Sequence, residues 1–227
     1  MRLPRHILPY GPDALLINWE QRIAPAISTS VHAYAAKLLE HPGVLECIPA
    51  YASLMVRFSI PKISAYRLRE FIFELRLSAL EIKKPVVHEL PVLYDGPDLD
   101  FVVGKLQLSK KQLINLHTKT DYLVYQVGFQ PGFAFLGDTA EALTINRKES
   151  PRSNVPAGSV GLAGRQTGIY PADGPGGWNL IGRCPWSVVR PGDDPTRLRA
   201  GDRVKFRSVS AAAFLKLSKS PAPWPER

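Results

Sequence analysis

Along the first part of the chain the apolar positions switch between a two-residue and a three-to-four-residue period, and each switch marks an element. Ala14 to Trp19 is a short apolar run after the Gly11-Pro12-Asp13 turn and predicts a strand. From Ile27 to Leu39 the residues Val31, Tyr34, Ala35, Leu38 and Leu39 recur at helical spacing, with Ser28 or Ser30 as caps and Pro42-Gly43 as the stop. Val44 to Ile48 and Ser53 to Phe58 read as two strands joined by a short turn. Ser64 to Leu80 predicts a second helix, and Val86 to Leu93 a last strand before the polar Asp95-Gly96-Pro97-Asp98 loop. The order βαββαβ predicts a ferredoxin-like domain over residues 1–93, with two helices on one face of an antiparallel sheet. It carries no cluster of His, Cys or acidic residues, so its expected role is scaffold or docking surface.

Beyond that boundary Leu99 to Leu106 and a segment starting at Ser109 read as helices, with Leu113, Ile114 and His117 on neighbouring turns. From Tyr122 to Phe206 the pattern changes to short β-type runs (Tyr122–Val127, Ser159–Leu162, Trp186–Val189, Arg203–Phe206) separated by Gly and Pro clusters. This is the pattern of a compact β-barrel or sandwich over residues 94–217. Residues 218–227, with Pro221, Pro223 and Pro225, read as a loose tail. The fold class is therefore α+β.

Composition changes this picture little. With 227 residues and 45% hydrophobic content the chain can bury a sizeable core. Cys47 and Cys184 lie in no metal-ligand or redox spacing, so no bound metal is expected and a reducing cytoplasm fits. No secretory leader and no membrane-spanning stretch is expected. The 29 Lys and Arg against 20 Asp and Glu give a formal charge of +9. The bases are scattered, paired only at Lys83-Lys84, Lys110-Lys111 and Arg147-Lys148. That distribution reads as a solvated surface, not a nucleic-acid site.

Candidate chemistry is concentrated in four motifs of the second half: Gly128-Phe129-Gln130-Pro131-Gly132-Phe133, Ser150-Pro151-Arg152 with Val155 to Val160, Gln166 to Pro171, and Pro175-Gly176-Gly177-Trp178. Each couples a glycine turn to an aromatic or polar side chain, so backbone can approach a ligand while the neighbouring side chain is held. Pro131-Gly132 and Pro175-Gly176 fit type II turns. Phe129 and Phe133 are either core packing or pocket wall, and Trp178, after two glycines, suits a pocket wall. Arg152 is the candidate for holding a carboxylate or phosphate, the alternative being a surface ion pair. Gln166 and Tyr170, on one face of a strand, offer an amide and a phenol to one ligand or form a satisfied buried pair. His117 is a second catalytic candidate, although a lone histidine on the apolar side of a helix is more often structural. There is no phosphate-binding glycine loop, no dinucleotide fingerprint, no GxSxG elbow, no HExxH and no close carboxylate pair.

In this order the motifs resemble the family of 5-oxoprolinase B subunits, also described as allophanate hydrolase subunit 1 and as KipI-type kinase inhibitors. Pro49 to Leu54, the Pro91 to Leu99 linker with its Gly-Pro-Asp-Leu, and the stretch Gly128 to Pro185 carry the resemblance. Gly174 stands where serine is usual, and Cys184 where threonine is usual. The resemblance implies a cyclophilin-like barrel after the ferredoxin-like domain. It also implies A and C subunits as partners and ATP, with magnesium, as co-substrate in opening 5-oxo-L-proline to L-glutamate. It places Arg152, Gln166, Tyr170, Gly176, Gly177 and Trp178 at the site, with Ser159 and His117 nearby. A histidine kinase as partner, or a urea or allophanate pathway role, are the alternatives the same resemblance allows.

Overall fold

A computed structural model describes residues 1–75, 77, 85–192, 195–220 and 223–224. It divides into two compact units, Met1–Lys84 and Pro85–Arg227.

In the first unit, strands β1 (His6–Pro9), β2 (Ala14–Asn18), β3 (Val44–Pro49) and β4 (Ser53–Phe58) form an antiparallel sheet in the order β1-β2-β4-β3. Helices α1 (Pro25–Leu39) and α2 (Ala65–Glu74) pack on one face of it. Alternation decides which face: Leu15 and Ile17 of β2 and Leu54, Val56 and Phe58 of β4 are buried against Ile27, Val31, Leu38, Leu68 and Ile72. Each such side chain contributes about 1.5–3 kcal/mol when fully buried. Helix α1 starts at Pro25, with no side-chain cap, so neither Ser28 nor Ser30 caps it. Proline needs no N–H acceptor in the first turn. Ser64 caps α2 by accepting from Arg67 N–H. The remainder of that expected helix, at 76 and 78–80, lies outside the described residues.

The last strand expected in this unit is placed elsewhere. Strand β5 (Val87–Val92) runs parallel to β13 (Arg203–Ser208) in the second unit, and β1 takes the edge position beside β2. The division therefore falls between Lys84 and Pro85 and not after Leu93. The reason is burial: His88, Leu90 and Val92 of β5 are shielded from water, and Leu90 and Val92 belong to the second unit's core.

The second unit is a seven-stranded sheet in the order β12-β9-β10-β7-β6-β13-β5, with β6 (Asp121–Val127), β7 (Ala134–Gly137), β9 (Ser159–Ala163), β10 (Gln166–Ile169) and β12 (Asn179–Arg183). It curls until its edges meet: Leu93, just after β5, exchanges hydrogen bonds of 2.9 and 2.8 Å with Arg183 of β12. The seam continues as Gly96 and Asp98 donate to the carbonyls of Ile181 and Leu180. Glycine is required here, since a Cβ at Gly96 would collide with the Leu180 carbonyl and one at Gly182 with that of Leu93. Helices α3 (Leu99–Leu106) and α4 (Lys110–Lys119) add Val102 and Leu113 to the core, and α4 opens with a capping box between Ser109 and Gln112. A two-stranded ribbon, β8 (Arg152–Val155) with β11 (Gly174–Gly176), and the short helix α5 (Ala211–Leu217) complete the unit.

Several motifs read as turns are strands, and Trp186–Val189, read as a strand, makes only a single bridge from Val189 to Thr196. Gly132 has φ +84°, as a type II turn requires. Gly176 instead lies in β11 without a positive φ, so Pro175-Gly176 is not that turn. Of the expected tail, 218–220 and 223–224 are described.

Candidate functional site

Closure of the sheet brings Asp98 to the foot of the ribbon. Its side chain extends the seam: Leu180 N–H donates to Oδ2 at 2.7 Å, while Oδ1 receives Arg152 Nη2 at 2.5 Å and Lys148 Nζ at 3.3 Å. Asp98 is buried, with 5% of its surface exposed. Burial alone would raise its pKa, but the Arg152 hydrogen bond, the Leu180 N–H and the Lys148 ammonium together hold the carboxyl below its ordinary value. Lys148 is fixed from the backbone as well, its N–H donating to the Gly177 carbonyl at 2.7 Å.

Arg152 opens β8 and pairs in register with Gly176 of β11. Its guanidinium is turned onto Asp98, and its buried Nη1 has no acceptor among the described residues. The Tyr170 hydroxyl lies directly against Gly176, where a Cβ would collide with it. Burial pushes the Tyr170 phenol above its ordinary pKa, against the Trp178 backbone N–H and the Arg152 charge, which both favour the phenolate. Around this pair stands an aromatic cluster. The Phe133 ring centroid is 4.8 Å from Phe135, 5.2 Å from Tyr170, 5.3 Å from Trp178 and 5.7 Å from Phe129, all edge-to-face. Edge-to-face pairs of this kind contribute about 0.5–1.5 kcal/mol each beyond burial. Phe133 and Tyr170 are buried, Phe135 and Trp178 half-buried, and Phe129 is 65% exposed, so the cluster reaches the surface through its rim. A flat apolar wall beside a tethered cation suits a small planar ligand carrying a negative charge.

The other sequence candidates lie elsewhere or act through backbone. Ser159 is buried in β9, its carbonyl accepting from Tyr170 N–H at 2.9 Å. Gln166 is at the far end of β10, four residues and about 13 Å of strand from Tyr170, too far for both to hold one small ligand. His117 is fully buried and stacked on Phe206 at 4.6 Å. Its Nε2 meets Thr167 Oγ1 at 2.8 Å, and because that hydroxyl donates onward to the Gly161 carbonyl, Nε2 is the protonated nitrogen. Nδ1 then accepts from the Tyr94 hydroxyl at 2.6 Å. Burial drives the His117 pKa down to about 3, so the ring is neutral and walled off, the setting of a structural histidine and not of a base meeting substrate. Burial likewise pushes both thiols, Cys47 and Cys184, up to about 12. Among the described residues no three His, Cys, Asp or Glu side chains converge as a metal site, and no helix is long and apolar enough to cross a membrane.

Asp98 and Lys148, central to the geometry, are not among the sequence candidates. The signal for Asp98 is the Gly-Pro-Asp-Leu string, which reads as linker.

Residues 5–199 match the family described as carboxyltransferase domain, subdomain C and D. The 5-oxoprolinase B subunit of Bacillus subtilis (strain 168) is 42% identical over an alignment of 219 positions that covers 88% of this chain and 91% of that protein. The chain belongs to the family of 5-oxoprolinase B subunits. The Asp98 to Trp178 site lies wholly inside the region that matches the carboxyltransferase domain. Among solved structures, TTHA0988 superposes with a TM-score of 0.80 at 36% identity over 93% of this chain, which spans only 41% of that longer polypeptide. The Kluyveromyces lactis urea amidolyase superposes with a TM-score of 0.72 over 94% of this chain and 15% of its own, and at 18% identity that likeness is one of fold.

Proposed function

We propose that this chain is the B subunit of an ATP-dependent 5-oxoprolinase, acting with A and C subunits to open 5-oxo-L-proline to L-glutamate in the cytoplasm. The observation that carries the reading is the 42% identity, over nearly the whole chain, to a protein named as that subunit. In this reading the first unit is a ferredoxin-like docking scaffold, and the second is a cyclophilin-like barrel whose ribbon and aromatic rim face the partner.

The chemistry supports a shared site. A lactam resists water because its carbonyl is resonance-stabilised. Transfer of the ATP γ-phosphoryl group to the carbonyl oxygen releases ADP and makes that carbon electrophilic; water adds, the carbon–nitrogen bond breaks as nitrogen takes a proton, and hydrolysis of the acyl phosphate so formed releases L-glutamate and inorganic phosphate. Each step gathers negative charge that cations must meet. Arg152, oriented by Asp98 and retaining an unused Nη1, supplies one cation beside a flat apolar wall that fits a planar five-membered ring. His117, sealed in the core, cannot reach a substrate there. Water activation therefore falls to a partner, and magnesium enters with ATP.

Coexpression with candidate A and C subunits, followed by glutamate release from 5-oxoproline with and without ATP, tests the reading. ATP-dependent release that disappears in Arg152→Ala while the complex still assembles supports it. Absence of release with every partner set, together with inhibition of a histidine kinase, would move the chain to the inhibitor class.

A further inference from the structure

Beside the Asp98 network, along α3, lies a half-open cleft of about 620 Å³ that shares only Lys148 with the site described above. Its walls include Phe101, Lys105, Arg147, Lys148, Ser150 and Asn179, and among the described residues Glu149 is the one carboxylate lining it. Its volume falls within the range of small-molecule sites, about 300–1,000 Å³, and is larger than a lone anion would fill. Phe101 and Lys105 are four residues apart on α3, so the ring and the ammonium share one face a helical turn apart. Phe101 is 57% exposed although the Lys148 ammonium sits 5.7 Å over its ring. Lys105 and Arg147 are in no ion pair among the described residues, whereas Lys148 is held by Asp98. At the base, Asn179 is 1% exposed and spends both amide hydrogens on the carbonyls of Asn146 and Leu162, at 2.9 and 3.2 Å. The side-chain group it can still offer is its acceptor Oδ1, which suits a ligand N–H or O–H.

An exposed aromatic ring, two cations lining the same cleft, one of them a helical turn from the ring, and a positioned acceptor are complementary to a ring-bearing polyanion. We infer that this cleft binds a nucleoside polyphosphate, the base lying on Phe101 and the phosphates between Lys105 and Arg147. The inference deepens the proposed ATP-dependent reaction and rests on it for the identity of the nucleotide. It also explains how a chain without a glycine-rich phosphate loop could hold the co-substrate, through side-chain cations in place of backbone N–H groups.

Titration calorimetry of the full chain with ATP, pyrophosphate and adenosine separately tests it. ATP and pyrophosphate should both weaken about tenfold or more in the Lys105→Gln/Arg147→Gln double variant. Phe101→Ala should weaken ATP and leave pyrophosphate unchanged, and Glu149→Gln, which removes the opposing charge, should tighten both. The cationic positions are exposed, so these variants should melt like the parent. Absence of ATP binding by the parent chain at millimolar concentration, or parental affinity in the double variant, overturns the inference. In the reconstituted complex the two readings separate. ATP-dependent glutamate release with an unchanged KM for ATP in the double variant would remove the cleft and keep the enzyme. Nucleotide binding at the cleft without any release would keep the cleft and remove the enzyme.

Discussion

Two polar networks in the second unit are built from similar parts and have opposite relations to water. In one, Tyr94, His117, Thr167 and the Gly161 carbonyl form an unbroken relay inside the aliphatic core, every donor matched. In the other, Asp98 gathers Arg152, Lys148 and the Leu180 N–H at the seam where the curled sheet closes, and Arg152 keeps an N–H group without an acceptor among the described residues. The first has no capacity left for a ligand, and its titratable member is held neutral. The second carries net positive charge beside an aromatic wall and leaves hydrogen-bonding capacity unspent. A chemically versatile residue is thus informative about function only when its neighbours have left some of its bonds unmade.

Protonation of the sealed relay should give the largest effect. The folded-state pKa of His117 is about 3 against an ordinary 6.5, so folding favours its neutral form. The stability this contributes is fully present above pH 6.5 and is lost as pH falls from there towards 3, amounting to a few kcal/mol on the order of the linkage relation. Urea unfolding of the parent and of His117→Gln across that window should show a flatter pH dependence in the variant, the carboxylates common to both cancelling. Equal slopes would mean that the relay opens to water and that the contrast is false.

Asp98→Ala should come next, at about 3 kcal/mol of unfolding free energy, because it strands two cations and a backbone N–H at a partly buried seam. Asp98→Asn, which keeps an acceptor for Leu180, should cost less. Arg152→Ala in the reconstituted complex should lower turnover about a hundredfold, the scale of one lost charge-stabilising donor. Its stability should change less than that of Asp98→Ala, and the opposite ordering would make Arg152 a strut and not a ligand group. Tyr170→Phe keeps the ring against Phe133 and removes the acceptor for the Trp178 N–H, at about 1 kcal/mol by thermal unfolding. At the small end, Phe129→Ser changes an exposed rim residue and should shift stability by no more than about 0.5 kcal/mol. A larger loss would place Phe129 in the core with Phe133.

Much of the architecture was legible because local rules and tertiary packing agree there. Helices α1, α3 and α4 follow the apolar period, Ser109 caps α4 as its position suggests, and the β4 alternation matches its buried face. The Tyr170 to Trp178 neighbourhood was legible because glycine beside an aromatic is a local signature of close packing. Asp98 was not, because a Gly-Pro-Asp string reads as a turn until one knows that it lies against β12, far along the chain. The placement of Gln166 failed for a related reason. Shared strand parity says that two side chains face the same way, but not that they are near each other.

The chain's own pattern thus determined an α+β composition, the main helices, a glycine-rich second half and the aromatic and basic residues that cluster there. Three arrangements lay beyond its reach and emerged in the folded molecule: Val87–Val92 joins the second unit, His6–Pro9 takes the sheet edge beside Ala14–Asn18, and Asp98 meets Arg152 across the seam. The physical reason is range. Periodicity and capping depend on residues within a turn or two of each other, whereas strand partnership and charge pairing depend on which distant segments lose their water together.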